Sequence, residues 1–142
     1  MTVQDDRLIF LVFTAQQQLR NHLKRRFREE GLRTTAAQAA ILFLLRGNNG
    51  QTMSELSQAL LVDNSTLTGM IDRLEKIGFV TRGAHPGDRR AYSIEITAAG
   101  HEEADRAKKV LKDVNRAVKE DFSDSELESF KKILKAFFRK FR

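Results

Sequence analysis

Apolar residues recur every three or four positions at Leu8, Val12, Ala15, Leu19, Leu23 and Phe27. That period lines one face of a helix, so Asp5 to Glu30 is predicted to form one long amphipathic helix, with Gly31 as its C-cap. A second stripe, Leu127, Phe130, Leu134, Phe137 and Phe141, closes the chain. Between the two, a Ser or Thr followed three residues later by Glu or Gln marks helix starts, because each such pair satisfies two backbone N–H groups that the first turn leaves unpaired. Thr35 with Gln38 opens a helix through Arg46, Thr52 with Glu55 one through about Leu60, and Ser123 with Glu126 the last one. Thr97 is the expected N-cap of a helix running to about Glu120.

The period changes after Phe79. Tyr92, Ile94 and Ile96 alternate with Ser93 and Glu95, which is the pattern of a half-buried strand, and Phe79 to Arg82 supplies an antiparallel partner. The residues between, Gly83 to Arg89, include the only proline and predict a hairpin with a long basic tip. In the helix after Thr52, Leu56, Ala59 and Leu60 are expected to face the core. Leu61-Val62-Asp63 then leads to a second helix, Asn64 to Gly78, capped by Asp63 or Asn64. This second helix is predicted to bury Leu67, Met70, Ile71, Leu74 and Ile77 and to leave Ser65, Thr66, Thr68, Gly69, Asp72, Arg73 and Lys76 outside. Short helix, tight connection, second helix and hairpin make a winged helix-turn-helix. The expected fold is mainly α with a small β-hairpin wing, in a chain of 142 residues that fits a single domain.

Composition sharpens the reading of the outward face. Lysine and arginine number 25 against 19 acidic residues, a formal charge of +6, which favours a polyanionic partner through displacement of its condensed counterions. The outward positions of the second helix are small enough for its backbone to approach the floor of a major groove. Asn64, Ser65, Thr66 and Thr68 are candidates for base-edge or phosphate hydrogen bonds, and Arg73 for a phosphate or a guanine; Gly69 adds no bulk. On the hairpin Arg82, His85, Arg89 and Arg90 gather positive charge, and Asp88 is placed to orient Arg90 at a tip suited to a minor groove. Double-stranded DNA is therefore the expected partner.

Other classes find little support. Without cysteine there are no disulfides, thiolate zinc sites or thiol switches. His22, His85 and His101 are scattered, and phosphate loops, nucleophile elbows and paired catalytic carboxylates are missing, so neither an enzyme nor a cofactor or metal is expected. The longest largely apolar run, Ala36 to Leu45, is half of what a bilayer span needs, and the first residues lack the basic region of a signal peptide. No membrane partner is expected, and the cytoplasm is the expected location. Two rivals stay open: a winged helix turned protein-interaction module, and a sequence-indifferent nucleic-acid-binding protein.

The stretches from Leu61 to Val80 and from Gly87 to Thr97 resemble the MarR family, the multiple-antibiotic-resistance-type regulators. The pairing of Asp72-Arg73-Leu74-Glu75 in the helix with an acid and arginines in the wing carries the resemblance, which with the helix order covers nearly the whole chain. It implies a transcriptional regulator, a repressor by type, binding a pseudo-palindromic operator as a homodimer. Terminal helices at 5–30 and 98–142 would interlock around a DNA-binding lobe at 35–97, with Arg90 at the wing-tip arginine position and Asp88 as its orienting acid. Gly69 departs from the pattern, since similar proteins often carry a larger residue there. The resemblance also implies release by small aromatic or lipophilic compounds. Leu8, Val12, Leu19, Phe130, Leu134, Phe137 and Phe141 are the candidate dimerisation residues; their stripes either pack on one another or meet a second copy, whose recognition helix would then sit about 34 Å away, one turn of DNA.

Overall fold

A computed structural model of the chain describes residues 7–85 and 87–142, and of residues 85 and 88–91 the backbone alone. The expected helix start at Asp5 and the side chains of His85, Asp88, Arg89 and Arg90 thus lie outside the described residues. The elements follow in the order α1 (Leu8–Glu29), α2 (Ala36–Gly47), β1 (Gln51–Thr52), α3 (Met53–Leu60), α4 (Asn64–Lys76), β2 (Val80–His85), β3 (Asp88–Ile96), α5 (Ala98–Lys119) and α6 (Asp124–Lys140).

All three capping boxes form, at Thr35 with Gln38, Thr52 with Glu55 and Ser123 with Glu126. Helix α1 ends as Gly31 foretells: with φ at +70° the Gly31 N–H donates to the Arg28 carbonyl and Leu32 N–H to that of Phe27, closing the orphaned last turn. The chain divides into two compact units, one ending at Val110 and one from Leu111 to Arg142.

In the first unit, Ile41, Leu42 and Leu45 of α2, Leu56 of α3, Leu67, Ile71 and Leu74 of α4, and Phe79, Val80, Ile94 and Ala104 form one buried cluster. Each fully buried Leu or Ile there contributes roughly 1.5 to 3 kcal/mol, which fixes the orientation of α4 about its own axis. Ala59 differs from expectation: it is exposed, and half-buried Met53 packs on the cluster instead, because α3 leans on it through its first turn and Leu56. Between α3 and α4 the turn passes through Leu61, which is 73% exposed and left-handed at φ 56° and ψ 41°.

The wing is a three-stranded antiparallel sheet in the order β1-β3-β2. Strand β1 was not foreseen. Two residues are too few to show alternation, and it is held by fixed polar contacts: Gln51 Nε2 donates to the carbonyls of Leu44 (2.7 Å) and Asn48 (2.8 Å), and Asn49 Oδ1 accepts from Ile96 N–H (3.0 Å). The hairpin is also more regular than expected. Pairing runs from Val80↔Ile96 out to His85↔Asp88, with one irregularity between Ala84 and His85, so most of the stretch read as a loop is paired strand. Backbone pairing with β3 overrides the turn preference of Gly83.

Helix α5 closes the first unit. The buried Glu103 carboxylate accepts from the Arg33 N–H (2.8 Å), the Thr34 N–H (3.0 Å) and the Thr34 hydroxyl (2.7 Å), satisfying the turn between α1 and α2. In the second unit Asp121, left-handed at φ 72°, separates the end of α5 from α6, and α6 has no buried residue. Phe130, Ile133, Leu134, Phe138 and Phe141 are exposed, and Phe137 is half-buried in an edge-to-face contact with Phe141, centroids 5.6 Å apart.

Candidate nucleic-acid interface

Helix α4 carries the outward surface, and its cap is set by Asp63. The Asp63 carboxylate accepts from the Thr66 backbone N–H (2.7 Å) and the Ser65 hydroxyl (2.9 Å). These bonds, the Thr66 backbone first, hold its carboxyl below the ordinary value and keep the cap anionic. Of the two caps left open by the sequence, Asp63 is the one used, so Asn64 becomes the first residue of the helix.

Because Leu67, Ile71 and Leu74 are buried, the opposite side of the helix is fixed at positions i, i+4, i+7 and i+11, namely Ser65, Gly69, Asp72 and Lys76. Thr66 and Arg73 flank that crest on one side and Thr68 on the other. All six helix residues expected from the sequence (Asn64, Ser65, Thr66, Thr68, Gly69 and Arg73) are exposed and share this surface. Their hydrogen-bonding capacity is partly committed. Ser65 donates to Asp63 and Thr68 Oγ1 donates to the Asn64 carbonyl (2.8 Å), so outward these two hydroxyls offer acceptor lone pairs. The Asn64 amide and the Arg73 guanidinium have no hydrogen bond or ion pair among the described residues.

The wing joins this surface through Arg82. Its guanidinium pairs with Asp72, faces the Glu75 carboxylate with Nε 3.4 Å from Oε1, and lies 5.9 Å from the centre of the Tyr92 ring. The Nε–Glu75 approach is an ion pair by distance that does not meet hydrogen-bond geometry, leaving that buried nitrogen without a hydrogen-bond partner. Only 23% of the Arg82 side chain is exposed, against 62% of Asp72 and 45% of Glu75. Arg82 was expected among the outward wing arginines; it instead ties β2 to α4. The base of the wing and the crest of α4 consequently lie on one side. The sequence reading missed Glu75 and Tyr92 as parts of this clamp, and gave Asp72 no partner. A helix residue and a strand residue ten positions apart carry no periodic signal of contact.

Among the described residues no group of three or more His, Asp or Glu side chains is placed to hold a metal ion, and no helix is long and apolar enough to cross a membrane.

Residues 34–92, the span from the turn before α2 to the middle of β3, match the family model described as MarR family. The HTH-type transcriptional repressor YetL of Bacillus subtilis is 27% identical over 133 residues, covering 94% of this chain and 80% of YetL. A crystal structure of MarR superposes with a TM-score of 0.80 at 26% identity, covering 99% of this chain and 94% of that one. The transcriptional repressor CouR, solved on a 23-mer DNA duplex, shares the fold at 24% identity with a TM-score of 0.83, covering 92% of this chain and 91% of CouR.

Proposed function

We propose that this chain, whose residues 34–92 match the MarR family model and which resembles the repressor YetL over most of its length, is a regulator of that family that acts as a homodimeric repressor and binds a pseudo-palindromic operator in double-stranded DNA. Helix α4 enters the major groove with Ser65, Gly69, Asp72 and Lys76 leading. Asn64, Ser65, Thr66, Thr68 and Arg73 supply the polar contacts, while the wing carries Arg89 and Arg90 toward the adjacent minor groove, Arg90 oriented by Asp88. Arg82 positions the wing. The observation that carries the reading is the exposed crest of α4, free of bulk through Ser65 and Gly69 and charged beyond them at Asp72 and Lys76, held on the same side as the base of the wing. CouR, of like fold, was solved on a duplex. Work on chromosomal DNA puts the protein in the cytoplasm.

The dimer is supported by what the chain leaves uncovered. Helix α6 buries none of its apolar residues, and on α1 Leu8, Ile9, Phe10, Val12, Phe13 and Leu19 are exposed, Ile9 at 87%. Large aliphatic and aromatic side chains each gain roughly 1.5 to 3 kcal/mol on burial, so a second copy covering these faces gains a large interface energy. Release by a small aromatic or lipophilic effector enters the reading through the family alone.

Binding of a duplex selected by the protein from a random pool, followed against salt, tests the proposal. A binder that neutralises several phosphates loses affinity as a power of salt concentration, and the selected duplex is expected to outcompete random duplex by about a thousandfold or more. A nearly flat salt response would transfer the surface to a protein partner, and equal affinity for both duplexes would make it a sequence-indifferent binder.

A further inference from the structure

Gly69 occupies the middle of the α4 crest, and nothing among the described residues accounts for it. Its φ is not positive, in contrast to Gly31, Gly50 and Gly78. A Cβ built on it meets no atom within 4 Å, whereas at Gly100, in the first turn of α5, a Cβ collides with Phe79 and Ile96. An exposed glycine in a helix interior weakens the helix by roughly 0.5 to 1 kcal/mol relative to alanine. The fold carries that loss without return, so the return lies outside the chain.

We infer that Gly69 is a specificity-determining residue at which the α4 backbone comes nearest the base edges, and that the hollow left by its missing side chain receives the methyl group of a thymine. The inference rests on the DNA-binding reading above and deepens it. Helix geometry places Ser65, Thr66, Asp72 and Arg73 around the hollow, at i−4, i−3, i+3 and i+4. The backbone N–H and C=O of Gly69 are engaged within the helix, so the floor of the hollow offers neither donor nor acceptor. A polar base edge seated there would lose its hydrogen bonds to water without replacement. The thymine methyl is the apolar group that the major groove presents, and it seats there with no such loss.

The experiment compares the wild-type chain with Gly69→Ala on a duplex that the wild type selects from a random pool. Alanine is expected to raise the melting temperature by roughly 2 to 4 °C. It is expected at the same time to weaken binding to the selected duplex by about tenfold or more and to leave binding to random duplex, carried by phosphate contacts, within about twofold. Replacing thymines of the selected duplex one at a time by deoxyuridine is expected to reveal one position per half-site. There, loss of the methyl weakens the wild type about fourfold, the worth of one buried methyl group, and leaves Gly69→Ala unaffected. Equal affinity of the two proteins for the selected duplex, an equal loss on random duplex, or no thymine with this behaviour would overturn the inference while the DNA-binding reading stands. Failure of the wild type to enrich any duplex would overturn both.

Discussion

Replacing both acids that hold Arg82 sets electrostatics and architecture against each other. In Asp72→Ala plus Glu75→Ala, two negative charges leave the α4 surface and Arg82 loses its anchors. Fold stability should barely change: partly exposed pairs are worth about 0.2 to 1 kcal/mol each, and alanine returns up to about 0.7 kcal/mol per site in helix propensity. If the acids acted only as charges, their removal would tighten DNA binding. Each charge about 10 Å from a phosphate is repelled by roughly 0.4 kcal/mol in water, cut to about a third by physiological salt, so the whole gain is about twofold. If the clamp holds the wing, the freed strand must be ordered again on DNA. At about 0.5 to 1.5 kcal/mol per immobilised side chain and two wings per dimer, binding weakens roughly fivefold to a hundredfold. The structural term is the larger, and the expected sign is a loss. Fluorescence anisotropy of a labelled selected duplex, repeated over a range of salt, reads it. Equal or tighter binding by the double variant would show that the Arg82 clamp does not position the wing.

Other consequences can be checked separately. Gly100→Ala would put a Cβ 2.7 Å from Ile96 Cγ1 and 3.2 Å from the carbonyl carbon of Phe79, whose oxygen accepts from the Thr97 N–H; we expect about 2 to 4 kcal/mol of destabilisation in urea unfolding, and a loss under about 1 kcal/mol would contradict it. Leu61→Gly relieves a left-handed leucine that gains little from burial, so a stability increase of about 0.5 to 1 kcal/mol is expected from the same measurement. Phe137→Asp plus Phe141→Asp is expected to yield monomers in sedimentation, since two carboxylates would be carried into the proposed interface; an intact dimer would remove α6 from it. Asp63, with its folded-state carboxyl held below the ordinary value, stabilises the protein above the unfolded pKa and loses that contribution as pH falls through the folded one. The wild type should therefore lose more stability between pH 7 and pH 3 than Asp63→Asn, whose side chain still accepts from Thr66; parallel profiles would deny the cap its role.

What the sequence made legible was whatever is written in local periods. Three capping boxes located α2, α3 and α6 because each is complete within four residues, and the apolar spacing of Leu67, Ile71 and Leu74 determined which side of α4 turns outward. Contacts between elements left no such trace. Strand β1 exists through Gln51, Asn49 and the carbonyls of α2, and the reach of the hairpin to His85 depends on pairing that glycine and proline disguise. Arg82 shows the limit most clearly. By composition it belongs with the other wing arginines, yet the register of β2 turns it toward α4, where Asp72 and Glu75 stand one helical turn apart. Positive charge near DNA is thus not interchangeable along the wing: an arginine spent on an internal pair adds rigidity and no net counterion release. The salt dependence of binding should accordingly count Arg73, Lys76 and the arginines beyond Arg82, and substituting Arg82 itself should lower affinity without flattening the slope.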